Sequence, residues 1–180
     1  MNMKQILVLL GTLAFLGLCA EQTQAEVKMK VAVVNIQQAI NQSTEGQKAK
    51  TYFQQKLQSR EKEFRAKGMA IKAKDEQLQA SMMLAEEARQ KKQDELDGMK
   101  RNLQHEVQKA QAEYRQEESK QLQRISQEII LAVRKIGERE KYDFVMEATL
   151  RQTLLYTRMN ITDITDDVIK EYNKMKAGGN

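Results

Sequence analysis

The sequence predicts an α+β fold, mostly helical: a small β body from which a long antiparallel helical hairpin projects as a coiled-coil arm. Three observations predict it. Of 180 residues only 5% are aromatic, and there is no Pro and no Trp, which leaves too few turn formers and large apolar groups for a compact globule of this length. Residues 48–141 hold 22 Lys and Arg against 16 Asp and Glu in a nearly unbroken run of helix formers. Short runs with strand chemistry flank that run on both sides.

Taken in order, the first segment is a targeting signal. Lys4 precedes the apolar run Ile6 to Leu18, and small and polar residues follow up to Ala25. Thirteen apolar residues are fewer than the roughly 20 that cross a bilayer, so 1–25 is expected to be a signal peptide cleaved after Ala25, with Ala20 as the second choice. Lipidation at Cys19 is disfavoured by the large Leu18 before it. Cleavage removes the only Cys, so packing or oligomerisation has to stabilise the mature chain.

Val27 to Asn35 reads as a strand with a buried end, followed by one helical turn, Ile36 to Ile40, and a polar turn, Asn41 to Gly46. Residues 26–47 and 142–176 thus form the expected β body around the arm, 48–141. A single helix of about 90 residues would be a rod of roughly 140 Å, so the run should fold back on itself. The tip is placed near 80–85, with Ser81 as a cap and Glu86 and Glu87 in the first turn of the returning helix. Leu57, Phe64, Ile71 and Leu78 recur every seven residues, but their companion positions are polar, among them Arg60, Glu61, Lys67 and Lys74. On the return, Leu96, Met99, Leu103, Val107, Ala110 and Tyr114 form one stripe, and Leu122, Ile125, Ile129, Val133 and Ile136 a denser one. This pattern predicts a seam that strengthens toward the body and weakens toward the tip.

Beyond the arm, Tyr142 to Glu147 and Leu154 to Tyr156 read as a β-hairpin with a longer loop. A final helix follows, with Thr165 as N-cap, Asp166 and Asp167 in the first turn, and the packing stripe Val168, Tyr172 and Met175. Residues 177–180 are expected to be a disordered tail.

Three stretches are specific: the strand end Val31-Ala32-Val33-Val34-Asn35, the strand Tyr142-Asp143-Phe144-Val145 after the long helix, and Asp163-Ile164-Thr165-Asp166-Asp167-Val168. At these residues the chain resembles the Skp/OmpH family of periplasmic chaperones for outer-membrane proteins, over essentially all of its mature length. The resemblance implies a homotrimer in the periplasm, whose bodies join in one core and whose arms surround a cavity that holds an unfolded client. Val31, Val33, Ile36, Phe144, Val145, Leu154 and Leu155 are then the candidate oligomer core. Candidate client-contacting residues in the arm are Met69, Ile71, Leu78, Met82, Met83, Leu84 and Met99, since methionine adapts to varied surfaces, although seam packing is the heavier reading for the methionines. Lys91, Lys92, Lys100 and Arg101 are candidate basic residues for anionic lipid headgroups, but no family cluster aligns with them.

The function expected is holding without chemistry: no ATP, no cofactor and no nucleic-acid partner. One Cys and one His are too few for a zinc site or a thiol–histidine pair, and His105 reads as a surface residue. The paired carboxylates Glu86-Glu87, Glu117-Glu118 and Asp166-Asp167 are adjacent in sequence, so they point to different sides of a helix and do not form a catalytic dyad. The rival reading is a non-catalytic coiled-coil spacer of the cell envelope, which would need continuous apolar heptads.

Overall fold

The computed structural model describes residues 29–81 and 83–178. The expected signal peptide with its cleavage site, Met82, and the last two residues lie outside the described residues. The elements are strand β1 (Val31–Val34), helices α1 (Ile36–Gln42), α2 (Thr44–Ala80) and α3 (Glu86–Glu140), strand β2 (Phe144–Glu147), a 3-10 turn (Ala148–Thr153), strand β3 (Ile161–Asp163) and helix α4 (Thr165–Ala177). The class is α+β with helix dominant. Among the described residues no helix is long and apolar enough to cross a membrane.

The sheet is parallel throughout, in the order β2-β1-β3. Val31 pairs with Phe144 on one side and with Ile161 on the other. The expected hairpin is therefore wrong: β2 does not turn back onto Leu154 to Tyr156. The chain leaves β2 through the 3-10 turn, passes Leu154, Leu155 and Tyr156 without regular structure, and re-enters the sheet at Ile161 on the far edge of β1. A parallel partner needs a crossover, and here the crossover from β1 to β2 is the whole arm. The central strand is uniformly apolar because both its faces are covered. Ala32 and Val34 join the helical core, and Val31 and Val33 are buried on the alternate side.

Two corrections concern the corner after β1. The strand is shorter than expected, starting at Val31, and the polar turn shrinks to one residue, Ser43, between α1 and α2. Ser43 is fully buried; its hydroxyl donates to the Ile40 carbonyl at 3.0 Å and accepts from the Gly46 amide at 3.1 Å, so it caps both helices. Asn173 of α4 accepts the next free amide, that of Thr44, at 2.9 Å. The helices cross so closely that a β-carbon on Gly46 would stand 1.7 Å from the Ile40 carbonyl oxygen.

The core lies where α3 re-enters the body. Ile125, Ile129, Ala132 and Ile136 bury one stripe of α3 against Val168 and Tyr172 of α4. Burial and the Glu128 carboxylate, which accepts the phenol hydrogen at 2.7 Å, push the Tyr172 hydroxyl pKa well above its ordinary value. Glu171 pairs with Lys135 at 2.6 Å and with Arg139 at 2.9 Å, and these two cations hold its carboxyl below the usual range. Thr165, expected as the N-cap of α4, instead opens the helix: its hydroxyl donates to Asp163 at 2.6 Å and accepts the Asn35 amide at 2.9 Å, which ties α4 to the end of β1. Ala177, expected in the disordered tail, is the last residue of α4.

Lys30 fixes the register of β2. Its amide donates to the Asp143 carboxylate at 2.7 Å, its ammonium reaches the Glu140 carbonyl at the end of α3 at 2.6 Å, and it lies over the Tyr142 ring. Lys141 between them turns the chain out of α3 in the left-handed conformation, φ 55°.

Candidate functional site

The arm is α2 packed antiparallel on α3, about 55 Å and about 80 Å long at 1.5 Å per residue. At its tip Ser81, expected to cap the returning helix, ends the outgoing one, and its hydroxyl donates to the Gln77 carbonyl at 2.7 Å. Arg89 closes the turn by donating to the Ser81 carbonyl at 2.9 Å. Glu86 and Glu87 stand in the first turn of α3, where the helix dipole favours them, although no side chain caps it.

The seam is thin in the middle, not toward the tip as expected. Ile71, Leu78 and Leu96 are buried near the tip, and Phe53 is buried near the body, edge-on to Tyr114 with 5.5 Å between ring centroids. Between them α2 has no buried residue from 54 to 70, and α3 has none from 97 to 124. There the helices part around a cleft of about 690 Å³, walled by Leu57, Phe64, Val107, Ala110 and Tyr114, with Arg60, Arg65 and Arg115 on its rim. Lys56 with Glu117 closes the body end, and Lys67 with Glu106, at 2.5 Å, lies just beyond the tip end. Lys56, helped by Tyr52, pulls the Glu117 carboxyl below its ordinary range, and Glu117 in turn raises the Lys56 ammonium. A third cross-arm pair, Lys100 with Asp75 at 3.0 Å, stands nearer the tip.

The arm residues named from the sequence divide three ways. Ile71 and Leu78 are buried in the seam, and so are packing residues in this chain. Met99 is half-buried, with the Lys74 ammonium 3.7 Å from its sulfur, and Leu84 is also half-buried. Met69 (61% exposed) and Met83 (fully exposed) face solvent. Lys91, Lys92, Lys100 and Arg101 are all exposed, but Lys100 is engaged by Asp75, so the four do not form one free cluster.

In the body, Val31 and Val33 are buried within the chain itself and Ile36 and Val145 are half-buried, whereas Phe144, Leu154 and Leu155 are exposed, Leu155 at 98%. Sequence reasoning missed the neighbours of those exposed residues, Leu150 and Met159, which with Tyr156 extend the same apolar segment. It also missed Phe53; the available signal was its place four residues before Leu57, one turn back along the same stripe. Among the described residues no group of three His, Cys, Asp or Glu side chains is placed to hold a metal ion.

A small parallel sheet whose crossover is a two-helix arm is the architecture of a known class. The family described as outer membrane protein (OmpH-like) matches residues 30–172, and the chain belongs to that family. The fold is similar to the crystal structure of a protein from Caulobacter crescentus CB15 described as an outer membrane chaperone (OmpH-like), with a TM-score of 0.73 and 20% identity, over 82% of this chain and 85% of that one. No curated protein matches the chain.

Proposed function

We propose that this chain is an exported, ATP-independent holding chaperone of the periplasm, which binds unfolded outer-membrane proteins between flexible arms and keeps them from aggregating. The observation that carries the reading is the arm itself: two long charged helices joined by an interrupted seam, on a small body. An interrupted seam lets the arm bend and open at little cost in buried area. A rigid spacer would need the continuous seam that the middle of this arm lacks.

A homotrimer with arms around a cavity fits the same features. Phe144 in β2 and Leu150, Leu154, Leu155, Tyr156 and Met159 between β2 and β3 are all exposed, and packing between three copies could cover such residues in common. Weak contacts from several arms then add up to retention of one client. The cationic excess of the arm would favour acidic clients and anionic headgroups, with an attraction that falls as salt rises.

The test is to dilute a denatured outer-membrane barrel protein into buffer with and without the purified chain, no nucleotide present, and follow turbidity. The client should stay soluble in proportion to chaperone added. Precipitation at the same rate in both samples would end the proposal. Light scattering on the same preparation should give three times the mass of one chain.

A further inference from the structure

The connection from β2 to β3, residues 148–160, is built as a strap fastened at its two ends. Every described side chain from Thr149 to Asn160 is exposed, Leu155 at 98% and Tyr156 at 76%. Among the described residues the hydrogen bonds of 150–159 stay within the segment: the Leu154 amide donates to the Arg151 carbonyl, the Thr153 hydroxyl to the Leu150 carbonyl, and the Met159 amide to the Thr157 hydroxyl. Little buried area and little bonding therefore oppose lifting the strap off the sheet.

One carboxylate stands at each corner of the strap, and both meet the chain where β1 ends. Glu147, the last residue of β2, accepts the Thr149 amide at 2.6 Å and the Thr149 hydroxyl, and it reaches the Ile36 amide at the start of α1 at 3.4 Å. Asp163, the last residue of β3, accepts the Thr165 amide at 2.9 Å and the Thr165 hydroxyl at 2.6 Å. That hydroxyl in turn accepts the Asn35 amide at 2.9 Å, so the two corners end on the consecutive amides that follow β1. Hydrogen bonds to an ionised carboxylate are roughly twice as strong as neutral ones, and they weaken when the carboxylate takes up a proton.

We propose that 148–160 is an acid-released strap: with Glu147 and Asp163 ionised it is pinned at the end of the sheet, and with both protonated it lifts and becomes mobile while the helical core stays folded. The groups facing Glu147 are the Thr149 hydroxyl and the amides of Thr149, Ile36 and Ala148; those facing Asp163 are the hydroxyl and amide of Thr165, with the Arg151 guanidinium of the strap at longer range. The two threonine hydroxyls, first among these, hold the carboxyls below their ordinary values of 4.5 and 3.8. The corners therefore contribute fully above about pH 4.5 and are lost as pH falls through the lowered values. The strap itself carries Arg151 and Arg158 but no carboxylate and no histidine, so its response to acid comes from its corners. The proposal does not depend on the holding reading. It does bear on assembly, because the strap carries Leu155 and its exposed neighbours, and its release would also part copies joined there.

The chain contains no Trp, so Tyr156→Trp, at an exposed position, puts a single fluorophore on the strap. Its anisotropy should fall by about half between pH 6 and about pH 3, while far-ultraviolet dichroism keeps its helical signal. In the same background Glu147→Gln with Asp163→Asn should show the low anisotropy already at pH 7 and a flat profile below it. Glu147→Gln alone frees one corner and should give an intermediate value at pH 7; it decides the matter if the double variant does not fold. Constant anisotropy down to pH 3, a fall that coincides with loss of the helical signal, or the parent's acid profile in the folded variants overturns the proposal. Light scattering on the same samples separates the strap from assembly. A fall in anisotropy at constant mass keeps the strap and takes its residues out of the interface, whereas a fall in mass at constant anisotropy removes the strap.

Discussion

At Gly46 one missing methyl group allows the corner of the body to exist. Ser43 can cap two helices at once only because α2 starts within contact of the last turn of α1, and that approach leaves 1.7 Å for any β-carbon. Gly46→Ala therefore forces backbone against backbone, and we expect a loss of roughly 3 kcal/mol, the upper end for overpacking, read as a lower urea midpoint at unchanged slope. In the sequence this glycine looked like part of a polar turn. Its role was illegible there because it depends on where α1 ends, and helix ends are set by caps whose partners, such as Asn173, come from elsewhere in the chain.

At the scale of elements, the arm's helices were legible because propensity and the absence of Pro speak locally, and the α4 stripe because its period is strict. Strand pairing was not. Leu154 to Tyr156 has strand composition, yet it is exposed and joins no strand; the second partner of β1 is Ile161 to Asp163, and strand composition does not say which run pairs. The half-polar seam was also legible, but not its weak point: Leu96 seals the tip half beside Leu78, and which residues meet depends on the register of two helices. Gly68 and Gly98 sit inside α2 and α3 with open space where a β-carbon would go. Packing does not require them, so Gly68→Ala with Gly98→Ala should stabilise the arm by about 1–2 kcal/mol in sum, seen as a higher melting temperature and slower hydrogen exchange in residues 54–70. Between α3 and α4 the Glu171 pairs with Lys135 and Arg139 make a pH-dependent joint. Its carboxyl titrates below the ordinary value of 4.5, so the joint's contribution is complete above about pH 4.5 and is lost as pH falls through the lowered value. Glu171→Gln should lower the melting temperature at pH 7 and flatten its fall between pH 5 and about pH 3 relative to the parent; an unchanged acid limb would assign acid sensitivity to other carboxylates.

For the whole molecule, the proposed function assigns assembly to the exposed apolar residues of the body and holding to the interrupted arm. If the exposed residues Phe144, Leu154, Leu155 and Tyr156 join copies of the chain, Leu155→Asp should shift light-scattering mass toward one chain while far-ultraviolet dichroism stays that of a folded helix pair. Unchanged mass would place the interface elsewhere.

The sheet's connectivity also dictates an order of assembly. β1 meets β2 across a separation of 113 residues, and a chain closing so large a loop directly pays its entropy before any contact rewards it. The arm offers a graded route. Lys100 finds Asp75 over 25 residues, Lys67 finds Glu106 over 39, Lys56 finds Glu117 over 61, and only then does Lys30 stand beside Asp143. Folding that zips from the tip downward brings the strand ends together one small closure at a time, so the part of the molecule farthest from the sheet sets how fast the sheet can form.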